Sequence, residues 1–157
     1  MKPEDHISTY CTYGEAIQSQ TASRLGIPNI PNDEQLAAMK YVATEIFDKV
    51  REYLNAPLMA SSFFRSPQLN GSVAGSSKTS QHMKGEAIDM VCYGRNKEIF
   101  EFVRENLEFD QLIWEYGDKE QPAWVHASKV PYRKNRAEIL RCYHDQDGNV
   151  RYVPFDL

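Results

Sequence analysis

Two histidines and an aspartate fall in two short segments, Ser80-Gln81-His82-Met83-Lys84-Gly85-Glu86-Ala87-Ile88-Asp89 and Trp124-Val125-His126-Ala127-Ser128. Two neutral imidazoles and one carboxylate are a three-donor set for a catalytic zinc, which keeps its fourth position for water. No single helix face brings His82 and Asp89 together. Gly85 between them permits a turn or a close backbone approach, through which both side chains can be aimed at one point. Residue types alone leave a plainer reading open, with His82 an exposed loop residue and His126 a hydrogen-bonded strand histidine. His6, in a terminus expected to fray, and His144, beside a hairpin turn, fall outside both segments and are read as unrelated to a metal.

The elements that must hold these side chains are visible in the hydrophobic pattern. Leu36, Met39, Ala43, Ile46, Phe47, Val50 and Leu54 recur at three- and four-residue intervals, predicting one helix over Asp33–Leu54 with Asn32 as its cap. Tyr13–Leu25 is predicted as a short, broken helix ending at Gly26, and Ser66-Pro67 starts another. Ile99, Phe100, Val103 and Leu107 predict a second long helix over Asn96–Leu107. Strands are expected at Leu58–Phe64, Gly85–Cys92, Gln111–Tyr116, Ala123–Ser128, Ile139–His144 and Val150–Phe155. The last two are joined at Asp147-Gly148-Asn149, a tight-hairpin signal. The strand before Cys92 is expected to be half-buried, with Ala87, Asp89 and Val91 on one face. The Gly- and Ser-rich stretch from Gly71 to Ser80, which includes Gly75, reads as a mobile surface loop delivering the chain to His82. Helices first and antiparallel strands later argue for an α+β fold, with helices on one face of a mainly antiparallel sheet.

The chain's 157 residues suit one domain, residues 1–157, with no linker or repeat. A net charge of −4 disfavours a nucleic-acid partner, and no stretch approaches the roughly 20 apolar residues of a membrane span. Arg133, Lys134, Arg136 and Arg141 form a basic run, read as a solvated face. Cys11, Cys92 and Cys142 lack paired spacing and are expected as buried free thiols, consistent with a reducing cytoplasm. The amino-terminal residues show no export signal.

The motifs together resemble the zinc D-alanyl-D-alanine carboxypeptidase and L-alanyl-D-glutamate endopeptidase family, whose fold is shared by the hedgehog signalling domain. The resemblance is strongest to the branch of phage and bacterial peptidoglycan peptidases. The family pattern Ser-x-His-x-x-Gly-x-Ala-x-Asp is met at Ser80, His82, Gly85, Ala87 and Asp89, and the aromatic-x-His motif at Trp124-Val125-His126. Arg65 stands in Ser62-Phe63-Phe64-Arg65-Ser66-Pro67, and Glu115 in Gln111-Leu112-Ile113-Trp114-Glu115. The resemblance runs from about Tyr13 to Ile139.

It implies a metallopeptidase acting on peptidoglycan peptides, with one zinc per chain held by His82, Asp89 and His126. Many family members place an acid three residues before the last histidine, where this chain has Ala123. Glu115 is the candidate general base, reaching His126 if its strand pairs with Ala123–Ser128. Glu120, in a polar loop, is the alternative. Arg65 would bind a substrate carboxylate or the developing oxyanion, as a catalytic partner to the base. Ser80 and Gln81 would orient His82 or touch the peptide, and Trp114 and Trp124 would be core or cleft wall. Two other readings are an inactive zinc-containing wall- or protein-binding module of the same fold, and a phage structural component. The expected enzyme is a monomer, made in the cytoplasm and acting on the wall after phage-mediated release.

Overall fold

In the computed structural model, which describes residues 1–74 and 76–156, six strands form one sheet. These are β1 (Met59–Ser62), β2 (Ala87–Val91), β3 (Gln111–Glu115), β4 (Trp124–Ser128), β5 (Glu138–His144) and β6 (Val150–Pro154). Their spatial order is β1-β2-β4-β3-β5-β6. Every neighbouring pair is antiparallel except β3 and β5. The mixed α+β architecture is the expected one.

Period-two alternation decides what each strand presents. Ile88 and Met90 of β2, Leu112 and Trp114 of β3, and Val125 and Ala127 of β4 join one core with Phe47, Phe63, Phe64 and Phe100. The intervening residues Asp89, Ile113, Glu115, Trp124 and His126 face the other way, into a cleft. All five residues of β2 are buried, not half of them as the alternation suggested, because cleft walls cover the second face as well.

The helices packed on the core face are α3 (Asp33–Val42), a π-helical turn (Ala43–Phe47), α4 (Asp48–Leu54) and α6 (Asn96–Asn106). The first three form the run predicted as one regular helix. Asn32 and Gln35 close its start with a reciprocal capping box. The wider π turn keeps Val42, Ala43, Ile46 and Phe47 buried together. Asn55, at φ 48°, ends the run in a left-handed cap. The predicted broken helix is α1 (Tyr13–Ile17) and α2 (Gln20–Leu25), capped by Thr12 and Ser19. Ser66 caps α5 (Pro67–Ser72), whose proline occupies the first turn. Phe63 and Phe64, predicted as strand, instead leave β1 and fill the core. Of the glycine- and serine-rich stretch, Gly75 lies outside the described residues. In its remainder the Asn70 side chain donates to Ser77 O and accepts no bond itself, while Asn70 O takes the Ser76 hydroxyl.

One expectation about polar residues is corrected. The amino terminus is docked, not frayed. Tyr13 N–H donates to Asp5 O at 2.7 Å, and Gly14 N–H to Pro3 O at 2.8 Å. His6 forms a bridge with Thr12, and buried Asp48 accepts from the Ser8 hydroxyl at 2.8 Å and the Thr9 N–H at 3.0 Å. The basic run is exposed, as expected, and two of its members also form a clamp. Arg133 and Arg136 both bind fully buried Asp110, at 2.7 and 2.9 Å, and the Arg136 backbone N–H adds a further bond at 2.9 Å. Of the thiols, Cys11 and Cys142 are buried but Cys92 is only half-buried.

Burial raises the pKa of Asp110, but its arginine bonds outweigh this and hold it well below the usual carboxylate range. Asp110→Ala is expected to lower stability at pH 7 by about 2–3 kcal/mol, the worth of charge-assisted bonds to a buried group. Because the folded pKa is depressed, that contribution is present above about pH 4, the ordinary aspartate value, and shrinks as the pH falls below it. Urea titrations at pH 7 and pH 3 should show the gap between wild type and variant narrowing at the acid end.

Candidate metal centre and cleft

His82 sits in a 3₁₀ turn, Gln81–Lys84, begun by Ser80, whose Oγ accepts the His82 N–H at 3.2 Å. Gly85 closes the turn at φ 75°. A Cβ there would lie 2.5 Å from Gln35 O and 2.8 Å from Met39 Cγ, so both backbone conformation and the approach of α3 demand glycine. Gln35 in turn donates its side-chain amide to Met83 O at 3.1 Å. The His82 ring, 2 % exposed, has Nδ1 2.7 Å from Phe63 O. A carbonyl only accepts, so Nδ1 carries the hydrogen and Nε2 keeps its lone pair. Burial lowers the His82 pKa and favours the neutral ring, against the raising influence of Asp89.

Asp89 and His126 are directly opposite in the β2–β4 register. Asp89 Oδ1 lies 3.0 Å from His126 Nδ1 and 3.4 Å from His82 Nε2. One ligand atom from each of the three residues lies within 4.8 Å of the other two. Burial alone would raise the Asp89 pKa, but the two histidines hold it well below the ordinary carboxylate value. Two imidazole nitrogens and an anionic oxygen converging in a nearly water-free spot suit a small divalent cation, with zinc the natural match to this donor chemistry. The fixed hydrogen on His82 Nδ1 is the outer support that orients a ligating imidazole. The structure therefore brings together all three residues singled out in the sequence: His82 is buried, not an exposed loop residue, and His126 is a strand histidine whose hydrogen-bond partner is Asp89 itself.

Glu115 is opposite Trp124 in the β3–β4 register, and Ile113 is opposite His126. Its side chain therefore shares the cleft face with His126, one diagonal step away. It is 6 % exposed. Burial, and next the Asp89 charge, push its pKa up to about 7. Glu120 is exposed, with its N–H tied to the Asp118 carboxylate at 2.8 Å, and is not among the cleft residues.

Arg65 lines the cleft with its backbone N–H on His82 O at 3.2 Å and Nη2 3.5 Å from Ser80 Oγ. Its Nε is buried without a hydrogen-bond partner among the described residues. Buried Asn29 fixes this corner by donating to Ile17 O and Phe64 O, at 2.8 and 2.9 Å, and accepting the Ser66 N–H at 2.7 Å. Gln81 does not touch His82 through its side chain. Its Nε2 donates to Asp110 at 3.1 Å, joining the turn to the arginine clamp. Trp124 is a partly buried cleft wall tilted on Tyr116, whereas Trp114 packs in the core against Phe100 and Phe155.

The cleft holds about 1170 Å³, larger than a typical small-molecule pocket and suited to an extended ligand. Tyr152 of β6 and Glu15 of α1 also line it, and neither was singled out from the sequence. Both come from elements far from the two motifs, and only the pairing of β6 with β5 and the docking of α1 place them there.

The family model described as Peptidase M15 matches residues 9–128. The chain belongs to that family. The matched stretch contains Arg65, His82, Asp89, Glu115 and His126, and it ends with the last residue of β4. No curated protein matches the chain. M15 peptidases are zinc D-alanyl-D-alanine carboxypeptidases and endopeptidases, and the convergent triad is the zinc-binding site such an enzyme needs. This M15 peptidase is a zinc metallopeptidase. No described helix is long and apolar enough to cross a membrane.

Proposed function

We propose that the enzyme hydrolyses amide bonds in peptidoglycan stem peptides or crosslinks, with Glu115 as general base and Arg65 as the cationic partner of the reacting group. The observation that carries this reading is the buried Glu115 carboxylate on the same cleft face as Asp89 and His126. Family membership supports the peptidoglycan substrate.

Bound zinc supplies a Lewis acid that polarises the scissile carbonyl and acidifies water. His82, Asp89 and His126 would hold it. Glu115 then takes a proton from the attacking water and returns it to the departing amine. A carboxylate whose proton affinity lies near neutrality suits both transfers. Arg65 offers the planar, paired donors that a carboxylate or a developing oxyanion needs. Its Nε is a buried donor that no acceptor among the described residues satisfies. Trp124 walls the site on the opposite strand.

The test is metal content together with release of new amino groups from purified peptidoglycan, with chelator and with zinc restored. Close to one zinc per chain and release that stops with chelator and returns with zinc is the expected result. Stoichiometric zinc without release from several wall types would instead support the binding-module reading.

A further inference from the structure

We propose that Glu15 anchors an ammonium-binding subsite in the cleft, taking a primary alkylammonium of the peptide. This deepens the peptidase reading and rests on it for the identity of the ligand as a peptide. Glu15 lies in α1, which docks against the outer edge of β1, where Phe64 N–H donates to Ala16 O at 3.0 Å. The Ala60 N–H, directed away from β2, donates to Glu15 Oε1 at 3.0 Å. The carboxylate is therefore fixed in place on the cleft wall, with Ser61, Gln18 and Thr21 lining the same cleft. Ala60 is paired with Met90, next to Asp89, so Glu15 stands only about two strand spacings, some 10 Å, from the strand that bears the metal donor.

Among the described residues no lysine, arginine or histidine forms an ion pair with Glu15; of the other cleft carboxylates, Asp89 has two imidazole partners, and Glu115, also without an ion pair, lies at the metal-donor end. One oxygen is occupied by a backbone N–H and the second has no donor among the described residues. Burial pushes its proton affinity up, against the lowering effect of the Ala60 bond, so the site lacks the positive charge that would suit it. The cleft is thus polarised, with the Arg65 guanidinium near the metal donors and an unpaired carboxylate at the β1 edge. A ligand with an electron-rich group at the reacting centre and an amine further along matches that polarity. Stem peptides offer such an amine on the side chain of their diamino acid, and a second at the amino terminus once the peptide is released from the glycan.

The experiment compares a pentapeptide, L-Ala-γ-D-Glu-L-Lys-D-Ala-D-Ala, with its Nε-acetyl and Nα-acetyl forms. Binding is read by calorimetry on zinc-loaded Glu115→Gln, which leaves the peptides intact, and hydrolysis on the wild type. Acetylation of one amine should weaken binding at least tenfold, and which form suffers identifies the amine. Glu15→Gln keeps an acceptor for the Ala60 N–H while removing the charge. In that background the free and acetylated peptides should bind alike, and KM rather than kcat should carry the loss for the free peptide. Equal binding of all three peptides by the protein with Glu15 intact would overturn the subsite, and so would an equal loss on every peptide in Glu15→Gln. Hydrolysis indifferent to acetylation would remove the subsite and leave the peptidase standing. Amine-dependent binding with no hydrolysis of any form would do the reverse.

Discussion

Asp89→Ala is expected to yield a folded protein without bound zinc and without detectable peptide hydrolysis. Asp89 is the only anionic member of the donor set, and its Oδ1 is the atom both imidazoles approach, at 3.0 and 3.4 Å. Removing it leaves two neutral nitrogens, one from a turn and one from a strand, with no charge to offset the ion's desolvation. The loss of zinc affinity should exceed the roughly 10–100-fold typical of losing an outer support of a ligand. His82→Ala should behave similarly, because the replacement abolishes a ligand whose orientation Phe63 O and Ser80 already fix. Metal analysis after dialysis against a weak chelator, read beside Glu120→Ala as an exposed-carboxylate control, checks this. A second effect distinguishes loss of the aspartate's charge from general unfolding. The Asp89 charge is the second cause, after burial, of the raised Glu115 pKa. In zinc-free Asp89→Ala, Glu115 should therefore titrate at lower pH than in zinc-free wild type, as carboxyl-carbon NMR would register. Zinc retained at wild-type stoichiometry would remove Asp89 from the donor set.

The metal donors were legible through the family motifs that carry them, and the structure shows the local rules those motifs encode. Gly85 is required by a positive φ and by the backbone of α3 against it, and the period-two alternation of β2 and β4 puts Asp89 and His126 on a shared face. The placing of Glu115 followed from one further assumption, that its strand pairs with Trp124–Ser128, and the register bears that out. What was not legible depends on contacts distant in sequence. Nothing within the run Arg133–Arg136 reveals that its arginines fold back onto Asp110, because a buried acid and a solvated one look alike in a sequence. The docking of the terminus depends on Asp48, some forty residues away, accepting bonds from Ser8, Thr9 and Tyr10. The π turn at Ala43–Phe47 is hidden by a periodicity that remains close to 3.6 on either side of it. The full burial of β2 likewise reflects the walls of the cleft rather than the strand's own pattern.

Glu115→Gln should bind zinc as the wild type does and lose turnover by about 10²–10⁴-fold, the usual contribution of a positioned general base. Glutamine nearly preserves the shape of glutamate at a site that is 6 % exposed, so packing beside Trp124 and Cys142 is maintained while the proton acceptor is removed. The same substitution has an opposite effect on the stability of the zinc-free protein. Burial and the Asp89 charge raise the Glu115 pKa from 4.5 to about 7. Between those values the folded state binds more protons than the unfolded state, so the group's stabilising contribution is complete below about pH 4.5 and is lost as the pH rises through 7. At pH 8 the buried charge costs the zinc-free wild type up to about 3 kcal/mol, and Glu115→Gln escapes that cost. Urea titrations of the two chelated proteins should find the variant more stable at pH 8 and the difference small at pH 4. A carboxylate kept in an environment that penalises its charge is what the proposed base requires. The pairing of lost turnover with gained stability separates that role from a structural one, for which both would fall together. Retained turnover in Glu115→Gln alongside its loss in Glu120→Gln would move the base to the loop.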